Sequence, residues 1–130
     1  MRKITDHTNN PANEQITIEA TDDPGDGGAN HAYAIRLYDS IENAITMDAP
    51  PIQETMINFQ KGPIFISGVN GITNEALLAI VIDRMRGFQS GKFMCRENAL
   101  ALTKMEEALM WLQKRTMDRM RRGVEGTHQQ

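Results

Sequence analysis

The chain has 130 residues, room for one domain with a modest core, and its 14 Lys and Arg against 17 Asp and Glu leave a formal net charge of −3. That balance argues against a duplex-binding domain with a broad basic surface, and a single cysteine, Cys95, excludes an intramolecular disulfide framework and a cysteine-based zinc cluster. No apolar run approaches the roughly 18 residues that cross a bilayer, and MRKITDHTNN lacks the apolar core of a signal peptide, so a cytosolic protein is expected.

Residues 1–14 are polar and contain Asn9, Asn10 and Pro11, which reads as a flexible tail. A sheet region is expected over 15–70. Gln15 to Ala20 alternates briefly, as an edge strand does, and DDPGDGGAN at 22–30 is a loop by its glycines, aspartates and proline. HAYAIRLY at 31–38 has the two-residue period of a half-buried strand, and Ile52 to Gln60 alternates again. The compact apolar GPIFIS, 62–67, completes a small antiparallel sheet of three or four strands.

Beyond residue 72 the period changes. Thr73 suits an N-cap, Glu75 lies in the first turn, and Leu77, Leu78, Ile80, Val81 and Met85 build an apolar face up to about Gly87. FQSGKFM, 88–94, reverses the chain. From Cys95 or Arg96 a second helix is expected to run to about Arg122, with Leu102, Met105, Leu109, Leu112 and Met120 at three- and four-residue steps and Gly123 ending it. The expected fold class is therefore α+β: a small N-terminal antiparallel sheet, then a two-helix hairpin over 72–122 with one long helix and a tail at 123–130, in one compact domain. A helix of about 40 Å beside one of about fifteen residues leaves apolar surface over, Ala108 and Trp111 included, which points to self-association unless the sheet covers it.

Charge is uneven along the chain. The first sixty residues hold ten acidic and three basic residues, net −7, whereas the remainder hold seven and eleven, net +4. An anionic partner should meet the C-terminal half, and a small anion fits better than a long nucleic acid. The long helix ends in Lys114, Arg115, Arg119, Arg121 and Arg122, where Arg115 and Arg119, four residues apart, share a face and can grip one phosphate-bearing ligand with two planar forks. The alternative is a solvated basic end, since cations are favoured at any helix C-terminus.

Catalytic patterns are missing. Gly87 to Lys92 mimics a phosphate loop, but only three residues separate its glycines and Phe93 stands where the hydroxyl residue belongs. His7, His31 and His128 have no paired spacing, Glu106 and Glu107 point about 100° apart on a helix, and Cys95 has no histidine partner in view. No enzyme, cofactor or metal is expected.

The stretch INFQKGPIFISGVNGITNEALLAIVIDRMRGFQSG (57–91), followed by CRENALALTKMEEALMWLQKRT and RRGVEGTHQQ, resembles the Thoeris anti-defence proteins of the first type, a bacteriophage family. The C-terminal hairpin is similar to the helical module that this family shares with phage anti-CBASS sponges. The likeness covers roughly residues 28–130, and RENALALTKMEEALMWL is its most specific part.

The resemblance implies a protein without a catalytic step, which binds and hides the cyclic nucleotide signals of bacterial immunity in the host cytoplasm. The implied ligand is glycocyclic ADP-ribose, with cyclic di- or trinucleotides of CBASS at the same or separate sites of a hexamer built from homodimers, and neither DNA nor a membrane as partner. Carried over by motif, Phe88 in RGFQSG stacks on the adenine, Asn98 in CRENAL hydrogen-bonds the ligand, and Arg115 and Arg119 in KRTMDRM hold the phosphates. Phe88 as a hairpin core residue and Asn98 as part of the helix cap are the structural alternatives.

Asn98 and Arg115 lie seventeen residues apart on one expected helix, about 25 Å, too far for one nucleotide to touch both. The site is therefore expected to be shared, with the Phe88 and Asn98 end of one copy meeting the Arg115 and Arg119 end of another across a two-fold axis. The tail GVEGTH either folds over that pocket or frays. Two other readings remain: an enzyme that degrades such signals, and a small phage nucleic-acid-binding or assembly protein.

Overall fold

A computed structural model describes residues 1–121 as an α+β protein that divides into two compact units, Met1–Lys61 and Gly62–Gln130. The first unit is a four-stranded antiparallel meander, with β1 Arg2–Ile4, β2 Ile16–Ala20, β3 Ala32–Leu37 and β4 Gln53–Asn58 lying side by side in chain order. Thr17 opposite Arg36 and Ala34 opposite Met56 fix the register. Because successive side chains alternate, Ile16, Ile18, Ala20, Tyr33, Ile35, Leu37 and Ile57 share one face, and Thr17, Glu19, Ala34, Arg36, Glu54 and Met56 share the other.

On the polar face Arg36 reaches Glu54 at 2.6 Å and Glu19 at 3.3 Å, so one guanidinium joins three neighbouring strands. The Glu54 hydrogen bond, partly offset by burial, holds the Arg36 pKa above its ordinary value. Tyr33 meets Phe59 edge to face with ring centroids 5.7 Å apart. Ala20, Ala34, Tyr38 and Ala44 are the buried apolar residues of this unit.

Short capped helices fill the links. Asn10 caps α1, Pro11–Glu14, by accepting from the Asn13 N–H, and Ser40 caps α2, Ile41–Thr46, by accepting from the Asn43 N–H at 3.1 Å. In the β2–β3 loop the Asp22 carboxylate accepts from the His31 N–H at 3.0 Å and from the Asn30 amide at 3.2 Å. Burial pushes the Asp22 pKa upward, but the hydrogen bonds from His31, Asn30 and Ala32 outweigh it and hold the carboxyl below its usual value.

Two sequence expectations need correction here. The N-terminus is not simply a flexible tail, for Arg2–Ile4 pairs with Ile18–Ala20 and thereby makes β2 an interior strand rather than an edge. A three-residue strand carries too little alternation to be seen, and what holds it is backbone pairing, with His7 Nε2 hydrogen-bonded to the Ile16 carbonyl at 2.7 Å nearby. GPIFIS is not a strand either.

Ile64–Ser67 makes a single helical turn, α3, with Gly62 at φ +82° before it and Gly68 at φ +73° after it. The Ser67 N–H bonds the Pro63 carbonyl at 2.8 Å and the Gly68 N–H bonds the Ile64 carbonyl at 2.9 Å. A short continuous apolar run fits strand and helix equally by period, and the left-handed glycines on both sides decide for the turn. Phe65, 84% exposed, shows that the run is not core.

The second unit is built on α4, Asn74–Gln89, and α5, Arg96–Arg121, which pack against each other. Thr73 caps α4 as expected, its hydroxyl accepting from the Ala76 N–H at 3.2 Å. Ile82 is its fully buried large side chain, at 2% exposure, whereas Ile80 remains 60% and Trp111 56% exposed. Arg122, Gly123 and the tail 123–130 lie outside the described residues.

Candidate ligand-binding helices

The turn between α4 and α5 is fixed by one side chain. Gln89 donates from Nε2 to the Cys95 carbonyl at 3.2 Å and accepts at Oε1 from the Cys95 N–H at 3.1 Å, clasping both backbone groups of the residue that precedes α5. Cys95 in turn caps α5, its Sγ accepting from the Asn98 N–H at 3.4 Å. A reciprocal clasp of this kind ties the Phe88 end of α4 to the Asn98 end of α5.

Gly87 to Lys92 is therefore no phosphate cradle. Gly87–Gln89 form the last turn of α4, where the chain presents carbonyls: the Ser90 N–H bonds the Arg86 and Gly87 carbonyls, and Ser90 Oγ donates to the Gly87 carbonyl at 2.8 Å. A helix C-terminus repels phosphate. Further along, Arg86 directs Nε and Nη2 to Glu106 Oε2 at 3.2 and 2.8 Å, a second tie between the helices. Both partners are well exposed, so the tie contributes about 0–1 kcal/mol and mainly sets register.

Phe88 is 38% exposed and is not a buried core residue. The Arg84 guanidinium lies over its ring, with Cζ 5.4 Å from the centroid. Asn98 is half-buried and takes part in the cap through its backbone alone, because the sulfur of Cys95 serves as the side-chain cap.

Arg115 and Arg119 stand four residues apart on α5 but in unlike surroundings: Arg115 is exposed and Arg119 is buried, at 9% exposure. Around them the charge is partly neutralised. Asp118 accepts from Lys114 at 2.7 Å and lies 3.9 Å from Arg121, so those two cations share a carboxylate. Trp111, expected from the sequence as apolar surface left over beside the main stripe, lies one turn before Arg115 on the same helix and is exposed.

Phe88 and Asn98 are thus brought to one end of the helix pair, and Arg115 and Arg119 are not brought to them. α5 is one uninterrupted helix, and seventeen residues at about 1.5 Å each separate Asn98 from Arg115 by about 25 Å. Among the described residues no group of three metal-ligating side chains is assembled, and no helix is long and apolar enough to cross a membrane.

The sequence profile described as "Acb2/Tad1, hairpin domain" matches residues 51–117, just over half of the chain. The chain belongs to the Acb2/Tad1 hairpin-domain family. It is also 60% identical over 73 residues to "Thoeris anti-defense 1" of Bacillus phage SBSphiJ7, an alignment covering 56% of this chain and 51% of that protein. The chain thus matches about half the length of this curated relative. The resemblance to the Thoeris anti-defence proteins is borne out. Within the Acb2/Tad1 match fall Phe88, Asn98 and Arg115, and Arg119 lies two residues beyond it.

Proposed function

We propose that the protein is a phage anti-defence sponge, which binds cyclic nucleotide immune signals in the host cytoplasm and withholds them without cleaving them. The ligand is glycocyclic ADP-ribose, with cyclic di- or trinucleotides as further guests. In this reading Phe88 stacks on the base, Asn98 hydrogen-bonds it, and Arg115 and Arg119 hold the phosphates. Two copies form a dimer with two equivalent pockets, and dimers assemble to a hexamer.

What carries the reading is the separation of about 25 Å between Asn98 and Arg115 on a helix that does not bend back. One nucleotide touches both only if the helix of a second copy lies alongside in the opposite direction. The apolar surface left on α4 and α5, with Ile80, Trp111, Met110 and Met117 all at least half exposed, supports such a neighbour. Membership of the Acb2/Tad1 family and the name of the Bacillus phage relative support the anti-defence role.

A sponge removes one molecule per site, so useful binding is nanomolar, about 12 kcal/mol. Enclosing a whole cyclic nucleotide between subunits supplies the burial that such strength requires. Two measurements test the proposal together. Native mass spectrometry with glycocyclic ADP-ribose should give an even number of subunits with one ligand per subunit. Heating the complex should return the ligand unchanged by chromatography. A fully binding monomer refutes the shared site, and a cleaved ligand refutes the sponge.

A further inference from the structure

Two arginines stand close together near the end of α4, and their circumstances differ. Arg86 is engaged by Glu106 through two donors. Arg84 makes no ion pair among the described residues, and its guanidinium lies over the Phe88 ring at 5.4 Å. Its neighbours three and four residues away along the helix, Ile80, Val81, Gly87 and Phe88, include no carboxylate. Adjacent Asp83 points about 100° away.

The charge of Arg84 is therefore held beside an aromatic face and left unneutralised by its own helix. A cation within about 6 Å of a ring centroid is attracted by the ring's negative face. The contact favours one orientation of a side chain that is otherwise 38% exposed, and so lowers the ordering cost when a flat group lands on the opposite face. The same guanidinium places a positive charge next to whatever lies on Phe88.

We infer that Arg84 is a further ligand-positioning residue, which backs the Phe88 ring from one side while a purine stacks on the other and which attracts the anionic part of the same nucleotide. The inference rests on the sponge reading above, since it assigns Phe88 the base. It makes the pocket selective for a purine that carries phosphate, because a neutral nucleoside gains the stacking face but not the charge. The sequence held the signal in the four-residue spacing of Arg84 and Phe88.

The test is calorimetric titration of glycocyclic ADP-ribose into the full chain and into Arg84→Gln, Arg84→Lys, Phe88→Leu and the Arg84→Gln/Phe88→Leu double variant, at about 50 and about 200 mM salt. Circular dichroism checks that each variant keeps its helices, as substitution of the exposed Arg84 should. Arg84→Gln is expected to weaken binding about tenfold, ~1.4 kcal/mol, and to flatten the salt dependence; Arg84→Lys keeps the salt dependence but recovers only part of the affinity. Combined with Phe88→Leu, the Arg84→Gln loss should shrink, because the two side chains act as a unit. Binding by the original chain with an unchanged Arg84→Gln variant, or fully additive losses in the double variant, overturns this inference alone. Absence of binding by the original chain overturns the sponge reading and this inference with it.

Discussion

Truncating Ile82 tests what holds the second unit together. Its side chain, at 2% exposure, is the fully buried large group of α4, whereas Ile80 two positions earlier is 60% exposed. Ile82→Ala removes three buried carbons, about 2.4 kcal/mol at about 0.8 kcal/mol each. The cavity left behind adds to that, and large-to-small core substitutions of this kind cost about 2–5 kcal/mol in total. Because the neighbours of Ile82 on α4 are half-buried or exposed and free to close in, the expected loss lies near 3 kcal/mol. The assay is denaturant unfolding followed by helical circular dichroism, repeated over a dilution series. Ile82→Ala should lose the same amount at every concentration, since its burial lies within one chain. Ile80→Ala should cost little in dilute solution, and its cost should grow with concentration if assembly covers that face. Equal, concentration-independent losses from both variants would refute the assignment of Ile82 as the anchor within the chain.

Three further outcomes follow from the described geometry. Arg115→Ala and Arg119→Ala should each abolish tight binding of glycocyclic ADP-ribose, but only Arg119→Ala, whose side chain is buried, should also lower the unfolding free energy, by about 1–3 kcal/mol; calorimetry beside thermal melts separates the two effects. Gly62→Ala should destabilise the chain by about 1–3 kcal/mol in a denaturant titration, because Gly62 sits at φ +82° and an added Cβ would run into Ser67 Oγ. Hydrogen bonds hold the Asp22 carboxyl below its ordinary 3.8, so its contribution is present above that value and is lost as pH falls through the lowered one. Unfolding curves of Asp22→Asn and the original chain should differ at neutral pH and converge in acid, and a gap that persists to about pH 2 would contradict the assignment.

Elements with a long, regular period were legible in the chain. α4 and α5 announced themselves through three- and four-residue steps, the Thr73 cap and the change in charge sign, and β2, β3 and β4 through alternation. Less legible were elements made by backbone pairing or by glycine conformation. Arg2–Ile4 becomes a strand because β2 offers it a ladder, and Ile64–Ser67 becomes a helical turn because Gly62 and Gly68 take left-handed angles on either side. Of the candidate site, the individual residues were visible in local motifs, whereas the Arg84 contact with Phe88, whose four-residue spacing is present in the chain, shows only once the side chains are placed on the helix.

The amino-acid order alone determined that positive charge gathers in the C-terminal half, that a long rod carries Asn98 and Arg115 far apart, and that familiar catalytic patterns are missing, because charge, period and spacing are properties of the chain. Tertiary structure decided which groups are spent and which remain available. Asp118 occupies Lys114 and Arg121, Glu106 occupies Arg86, Cys95 caps α5 in place of Asn98, and Arg84 is left over the Phe88 ring. The Arg86–Glu106 tie exists only once the helices have turned back at Gln89 and Cys95, whereas the other pairings join residues three or four apart along one helix, and the folded side chains decide which of several possible local partners each one takes.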